Sequence, residues 1–123
     1  MIYDATNSTN SRRERILQEC TEYENAIGQS VGLIFIESVC DDEELLEDNY
    51  RMKISVSPDY KDMTEEEALV DVRERVRKYE EAYETIEDDS LSYIKLFNFS
   101  SKILANQIYG RMSKAVVPAL SAW

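Results

Sequence analysis

Val31-Gly-Leu-Ile-Phe-Ile36 is the longest apolar run of the chain, and it decides the fold class. The run has the length of a strand, and its unbroken apolar character is typical of a strand buried on both faces of a parallel sheet. The polar sequence Glu37-Ser-Val-Cys40 follows it and marks the carboxyl end of that strand. Ligands of open α/β sheets bind beyond the carboxyl ends of the strands.

Two other segments are predicted to be strands of the same sheet. Ile2-Tyr3-Asp4 is apolar up to an aspartate and has the pattern of the end of a buried strand, and Leu91–Phe99 is the third strand. Right-handed crossovers place the carboxyl ends of parallel strands at one edge of the sheet. We therefore expect three polar stretches to meet there: Asp4-Ala-Thr-Asn7, Glu37-Ser-Val-Cys40 and Asn98-Phe-Ser-Ser101.

Helices are predicted between and after these strands, from capping residues and from apolar residues spaced three or four positions apart. Ser11 is a suitable N-cap for a helix over about residues 12–27, and Asp41 and Asp42 can cap a short helix to about Arg51. Thr64 and Glu67 have capping-box spacing ahead of a helix to about Ile86. Pro118 is expected to break or end the last helix, which has these residues on one face: Leu104, Ile108, Met112 and Val116. The order predicts an α/β fold with a parallel sheet flanked by helices.

Composition excludes several classes of function. The 123 residues suggest one domain or part of one, and the net charge of −11 argues against a broad nucleic-acid-binding surface. The chain contains no histidine, which excludes catalytic triads and HExxH zinc sites. Two cysteines in unrelated contexts and no apolar run of membrane-spanning length favour a cytoplasmic protein that does not cross a membrane.

Polar residues at the predicted sheet edge are candidates for phosphoryl chemistry. Asp4 at a strand end can ligate Mg²⁺ or orient an attacking hydroxyl, although such an aspartate commonly only caps the next loop. Thr6 and Asn7 have short polar side chains that suit a phosphate or a sugar hydroxyl. Cys40 has two acidic neighbours that disfavour a thiolate, so we expect it to line a pocket.

Basic residues form a second group of candidates. Three arginines lie at the start of a helix, where the positive end of the dipole disfavours them: Arg12, Arg13 and Arg15. This conflict predicts either a bound anion or pairing with neighbouring acids. Arg75 and Tyr79 lie four apart on one helical face and can hold a sugar phosphate, or Arg75 can pair with Asp71. Lys53 can neutralise a transferred phosphate. The three glycines stand apart, so the sequence holds no glycine-rich phosphate loop.

Taken together, these segments resemble the kinase domain of the bifunctional 6-phosphofructo-2-kinase/fructose-2,6-bisphosphatase family. The similar stretches occur in the family's order and span nearly the whole chain. They are Tyr3-Asp-Ala-Thr-Asn-Ser-Thr9 with Arg12-Arg13, Phe35-Ile-Glu-Ser-Val-Cys-Asp-Asp42, Lys53-Ile-Ser with Ser57-Pro-Asp-Tyr-Lys61, Arg75 with Tyr79-Glu and Tyr83-Glu, and Leu91-Ser-Tyr-Ile-Lys95.

The resemblance implies a P-loop kinase fold and transfer of the ATP γ-phosphoryl group to the 2-hydroxyl of fructose 6-phosphate. It implies that Asp4 acts at Mg²⁺ and at the attacking hydroxyl, and that Asn49 lies near the nucleotide. Lys53 would lie between the two substrates, and Cys40 matches an active-site cysteine of the family. The residues expected to hold fructose 6-phosphate are Thr6, Arg12, Lys53, Arg75 and Tyr79.

Two departures from the family pattern limit what this chain can do. It lacks the Walker A loop, so we expect residues 1–123 to be the C-terminal portion of such a kinase domain, inactive alone. The phosphatase activity depends on histidines, which this chain lacks. A homodimer, or association with the missing half, would complete the sheet. Two alternative hypotheses for the function of the chain are another P-loop small-molecule kinase and a non-catalytic interaction module.

Overall fold

The computed structural model describes residues 1–122, apart from the side chain of Met112. Within this range the chain forms four α-helices: α1 (Asn10–Ile27), α2 (Glu43–Val56), α3 (Glu65–Ala82) and α4 (Gly110–Ser121). Three strands form one sheet: β1 (Phe35–Val39), β2 (Tyr93–Phe97) and β3 (Lys102–Asn106). No helix in the described range is long and apolar enough to span a bilayer.

The sheet has the order β1-β2-β3 and is mixed, so the prediction of a parallel sheet is only partly right. β1 and β2 are parallel, as predicted, with Phe35 opposite Tyr93. β3 runs antiparallel to β2, because a tight turn over residues 98–101 reverses the chain. Leu104, which we assigned to the last helix, is in β3 instead, and Ile108 precedes α4. The expectation that Pro118 ends this helix was also wrong, because α4 continues past it to Ser121.

Two predicted strands differ from the observed ones. Residues 1–4 form no strand, and Ile2 is 94% exposed. The strand predicted at residues 31–36 was placed too early in the sequence, since β1 begins at Phe35 and extends to Val39. Its burial on both faces was also wrong, because side chains alternate along a strand: Glu37 points to the covered face and Ile36 to the open one.

The helix starts follow their capping residues closely. Thr9, rather than Ser11, caps α1 by accepting a hydrogen bond from the backbone of Arg12. Asp42 caps α2, and Thr64 forms the predicted capping box with Glu67 at the start of α3. The backbone and side-chain hydrogen bonds from Thr64 lower the pKa of the Glu67 carboxyl. α3 ends at Ala82, so Ile86, predicted to be helical, lies beyond it.

The apolar core has two parts. Tyr60, Ala68 and Val72 pack between α2 and α3 together with partly buried neighbours on both helices. In the sheet, Ile94 of β2 is fully buried between two strands that both pair with it. The central strand therefore depends on packing around this side chain.

Truncation of Ile94 is expected to destabilise the fold. Ile94→Ala removes three buried carbons and leaves a cavity, so the free energy of unfolding falls by about 2–5 kcal/mol. Urea unfolding followed by circular dichroism measures the loss. Val70→Ala on the exposed face of α3 is the matched control and costs about 0.5 kcal/mol or less. Equal losses in the two variants would show that Ile94 is not a core residue.

Candidate functional site

A groove of about 350 Å³ lies between the loop that precedes α1 and the C-terminal part of α3. The loop contributes Thr6 and Ser8, and α3 contributes Tyr79 and Glu80. Val76 and Tyr83 complete the lining. The structure thus brings together Thr6 and Tyr79, two candidate residues from segments that lie far apart in the sequence.

Backbone hydrogen bonds hold the loop against the segment that follows α3. The amide of Glu84 donates to the carbonyl oxygen of Ser8 at 2.8 Å. The Glu84 carboxylate accepts a hydrogen bond from the backbone amide of Asn10 at 2.5 Å. Sequence reasoning gave Glu84 no role, since only the fold shows that the loop reaches it.

A buried polar cluster lies behind Tyr83, which forms one wall of the groove. The Glu37 carboxylate is almost fully buried and accepts hydrogen bonds from the hydroxyls of Tyr83 and Thr85 and from the amide of Ile86. The ammonium group of Lys95 lies 3.1 Å from the same carboxylate. The sheet therefore fixes the orientation of Tyr83 through Glu37.

The three arginines at the start of α1 have different surroundings. Arg12 is partly buried, and its guanidinium donates to the hydroxyl of Tyr3 and lies over that ring. Arg13 is buried and points inward. Arg15 is exposed and pairs with Glu19 one turn later. The prediction of a shared anion site therefore applies at most to Arg12, because its two neighbours are engaged elsewhere.

Arg75 lies one turn before Tyr79 on α3 but does not line the groove. Its guanidinium lies 2.8 Å from the Asp71 carboxylate and sits over the ring of Tyr60. The Tyr60 hydroxyl donates to the same carboxylate. Burial and this hydrogen bond raise the pKa of Tyr60. The helical salt bridge that the spacing allowed is present.

The remaining candidates lie on α2 and at the end of β1. Lys53 is exposed on α2, and Asn49 is one turn before it and partly buried. Cys40 follows β1, and its thiol is 3.9 Å from the carbonyl oxygen of Asp42. Burial raises the pKa of Tyr50 on α2, and the negative charges of Glu80 and Glu47 raise it further. None of these three candidates is among the residues that line the groove.

Asp4 is exposed, and its carboxylate has no hydrogen-bond or ion-pair partner within residues 1–122. No group of three or more acidic or cysteine side chains in the described residues could hold a metal by itself. Mg²⁺ is commonly held by one or two carboxylates together with substrate phosphates. The single carboxylate of Asp4 fits that kind of site and does not fit an all-protein metal cage.

Comparison with known proteins identifies the family. A family model described as 6-phosphofructo-2-kinase matches residues 1–121. The chain belongs to the 6-phosphofructo-2-kinase family. The resemblance drawn from its sequence segments is thereby confirmed, and the chain is a member of a kinase family that uses ATP.

Similarity to individual members of the 6-phosphofructo-2-kinase family covers most of the chain. It is 43% identical over 120 residues to a probable 6-phosphofructo-2-kinase of Schizosaccharomyces pombe, which covers 94% of this chain and 17% of that relative. It is 37% identical over 119 residues to a 6-phosphofructo-2-kinase/fructose-2,6-bisphosphatase of Gallus gallus, and the alignment covers 94% of this chain and 24% of that relative. Identity to 6-phosphofructo-2-kinase 1 of Saccharomyces cerevisiae is 37% over 117 residues, covering 94% and 14%. The chain therefore spans about a quarter or less of the length of these relatives.

Proposed function

We propose that this chain provides the sugar-phosphate-binding part of a 6-phosphofructo-2-kinase. The reaction transfers the γ-phosphoryl group of ATP to the 2-hydroxyl of fructose 6-phosphate and gives fructose 2,6-bisphosphate. The observation that carries the proposal is the groove shared by Thr6 and Tyr79, both of which family resemblance assigns to fructose 6-phosphate. Their hydroxyl groups can donate to and accept from sugar and phosphate oxygens.

The neighbouring Asn7 also supports a polar ligand at this loop. Its Oδ1 atom is buried and has no hydrogen-bond partner within the described residues. A buried oxygen without a donor costs free energy unless a ligand or water supplies one. In our proposal the side chain of Asn7 turns towards the groove, where a sugar hydroxyl next to Thr6 provides that donor.

Two arginines supply positive charge to the proposed phosphate position. Arg12 lies in the first turn of α1, where the helix dipole also favours an anion. Arg75 is about half exposed and has five donors, so it can bind a phosphate and keep its contact with Asp71. In our proposal both guanidinium groups turn towards the phosphate of fructose 6-phosphate when the sugar occupies the groove.

The remaining candidates act on ATP and on the reacting groups. Mg²⁺, when bound, neutralises charge on the nucleotide phosphates, and Asp4 is the residue that would hold it or orient the 2-hydroxyl. Lys53 lies between the substrates and balances charge on the transferred phosphoryl group, while Asn49 contacts the nucleotide. Cys40 supports the pocket without attacking the phosphate. Such a transfer requires positioning and charge neutralisation more than covalent chemistry.

The experiment compares the isolated chain with a hybrid kinase, in which this chain replaces the matching segment of the Saccharomyces cerevisiae relative. With ATP, Mg²⁺ and fructose 6-phosphate, the hybrid forms fructose 2,6-bisphosphate and the isolated chain does not. Product from the isolated chain would contradict the expected dependence on a Walker A segment. A folded but inactive hybrid, beside an active relative, would contradict the proposed function.

The choice of acceptor is tested separately, because a related kinase could phosphorylate another hydroxyl. A ligand that binds the folded state raises the melting temperature of the hybrid by linkage. We expect fructose 6-phosphate to protect at lower concentration than glucose 6-phosphate or fructose 1-phosphate. Stronger protection by another sugar phosphate would assign this site to that acceptor.

A non-catalytic interaction module is the second candidate. Ile36 is 54% exposed on the open face of the sheet, and β1 pairs on one side only within the described residues. An unpaired strand edge beside exposed apolar side chains favours pairing with another chain. A dimer by light scattering, together with an inactive hybrid, would favour this candidate over the kinase.

A further inference from the structure

The guanidinium of Arg13 is buried without a carboxylate partner. Its residue is 4% exposed, and no ion pair involves it within residues 1–122. Removal of a guanidinium from water costs free energy, which its hydrogen bonds must offset. An apolar side chain would fill the same space without that cost, so the choice of arginine needs another reason.

Three hydrogen bonds show what Arg13 connects. Its Nη1 donates to the carbonyl oxygen of Asn7 at 3.0 Å. Its Nη2 donates to Oδ1 of Asn10 at 2.6 Å and to the carbonyl oxygen of Glu84 at 2.7 Å. One rigid fork therefore joins the loop before α1, the first turn of α1 and the segment after α3.

These three segments carry the two walls of the groove. Thr6 and Ser8 line it from the loop that holds Asn7, and Tyr79 and Tyr83 line it from the side that leads to Glu84. Arg13 itself is not among the lining residues. Its hydrogen bonds therefore set the distance between the two walls, although Arg13 itself would not contact a ligand in the groove.

We infer that Arg13 is a positioning residue that sets the separation of Thr6 and Tyr79 for fructose 6-phosphate. The inference rests on the proposed function of the groove. Lysine keeps the charge, but its ammonium group is a single point and cannot reproduce the planar fork that reaches the three acceptors. Arg13→Lys therefore changes the geometry of the groove while the charge of the region stays constant.

Steady-state kinetics of the hybrid kinase test the effect on substrate. We expect Arg13→Lys to raise the KM for fructose 6-phosphate about tenfold or more, because small displacements of binding groups have large effects. The KM for ATP should stay within about twofold, since the residues proposed to contact the nucleotide, Asn49 and Lys53, lie on α2, which Arg13 does not contact through a hydrogen bond. Arg15→Lys on the same helix is the matched control and leaves both constants unchanged. A KM for fructose 6-phosphate that stays constant, or an equal rise in both KM values, would overturn the inference.

Hydrogen exchange of the 123-residue chain tests the connection independently of activity. The amide of Glu84, which donates to Ser8, should exchange at least about tenfold faster in Arg13→Lys and at an unchanged rate in Arg15→Lys. Unchanged protection would overturn the positioning role even if the KM rises. If the activity of the wild-type hybrid does not depend on fructose 6-phosphate, the proposed function fails. Faster exchange of the Glu84 amide in Arg13→Lys would still establish that Arg13 holds the two walls together.

Discussion

Glu37→Ala is expected to lower the free energy of unfolding by about 3–5 kcal/mol, because it breaks a buried ion pair from one side. The side chains of Glu37 and Lys95 are only 6% and 13% exposed, so water cannot replace the lost partner. The hydroxyls of Tyr83 and Thr85 lose an acceptor at the same time. A domain of ordinary stability has only about 5–15 kcal/mol in total, so the variant will unfold at a much lower urea concentration.

Two controls separate this effect from ordinary loss of charge. Glu19→Ala removes an exposed partner of Arg15 and should cost about 1 kcal/mol or less. The double variant Glu37→Leu with Lys95→Met removes both charges and should recover the part of the loss that comes from the unpaired charge of Lys95. The hydroxyls of Tyr83 and Thr85 still lack their acceptor, so the recovery is incomplete. If Glu37→Ala costs no more than Glu19→Ala, the carboxylate is not held in a buried pair.

Asp4→Asn is expected to lower kcat of the hybrid kinase by about 10²–10⁴-fold, the usual range for a group that assists proton transfer in the transition state. Asparagine has nearly the same shape but no negative charge, so it can neither attract Mg²⁺ nor draw a proton from the 2-hydroxyl. The KM for fructose 6-phosphate should change little, because our proposal assigns the contacts with this substrate to other residues, among them Thr6 and Tyr79. Coupled assays of product formation measure both constants.

The control for Asp4 is another exposed aspartate away from the groove. Asp62 is exposed in the loop before α3, and Asp62→Asn should leave kcat within about twofold of the parent value. The melting temperature of Asp4→Asn should equal that of the parent, since Asp4 is exposed and unpaired within the described residues. A kcat for Asp4→Asn close to that of Asp62→Asn would remove Asp4 from the proposed chemistry.

Local signals in the sequence predicted the first three helices well, whereas the last helix and the strand pairing were harder. The capping box of Thr64 and the cap of Asp42 depend on residues within a few positions, so both could be read from the sequence. β3 depends on pairing with β2 after a turn in which Asn98, Phe99 and Ser100 all have positive φ. Non-glycine residues rarely adopt that conformation, and the apolar spacing around Leu104 suited a helix equally well.

The candidate site shows the same division. Thr6 and Tyr79 were found through family resemblance, and the fold places them in one groove. Arg13 and Glu37 were not singled out for the roles that the structure gives them, because the sequence does not show whether a charged side chain is buried. Glu37 directly follows the apolar run that was predicted to be the strand. Its burial could have been predicted only if the strand had been extended to Val39, since Glu37 then alternates with exposed side chains.

The contact between Arg13 and Glu84 joins residues 71 positions apart in the sequence. Closure of so long a segment costs chain entropy before the contact returns any free energy, whereas α1 and α3 form from local hydrogen bonds. During synthesis, α1 therefore leaves the ribosome while one of the three acceptors of Arg13, the carbonyl oxygen of Glu84, does not yet exist. The groove is assembled only after translation has passed Glu84, so its two walls cannot meet until well into the second half of the sequence.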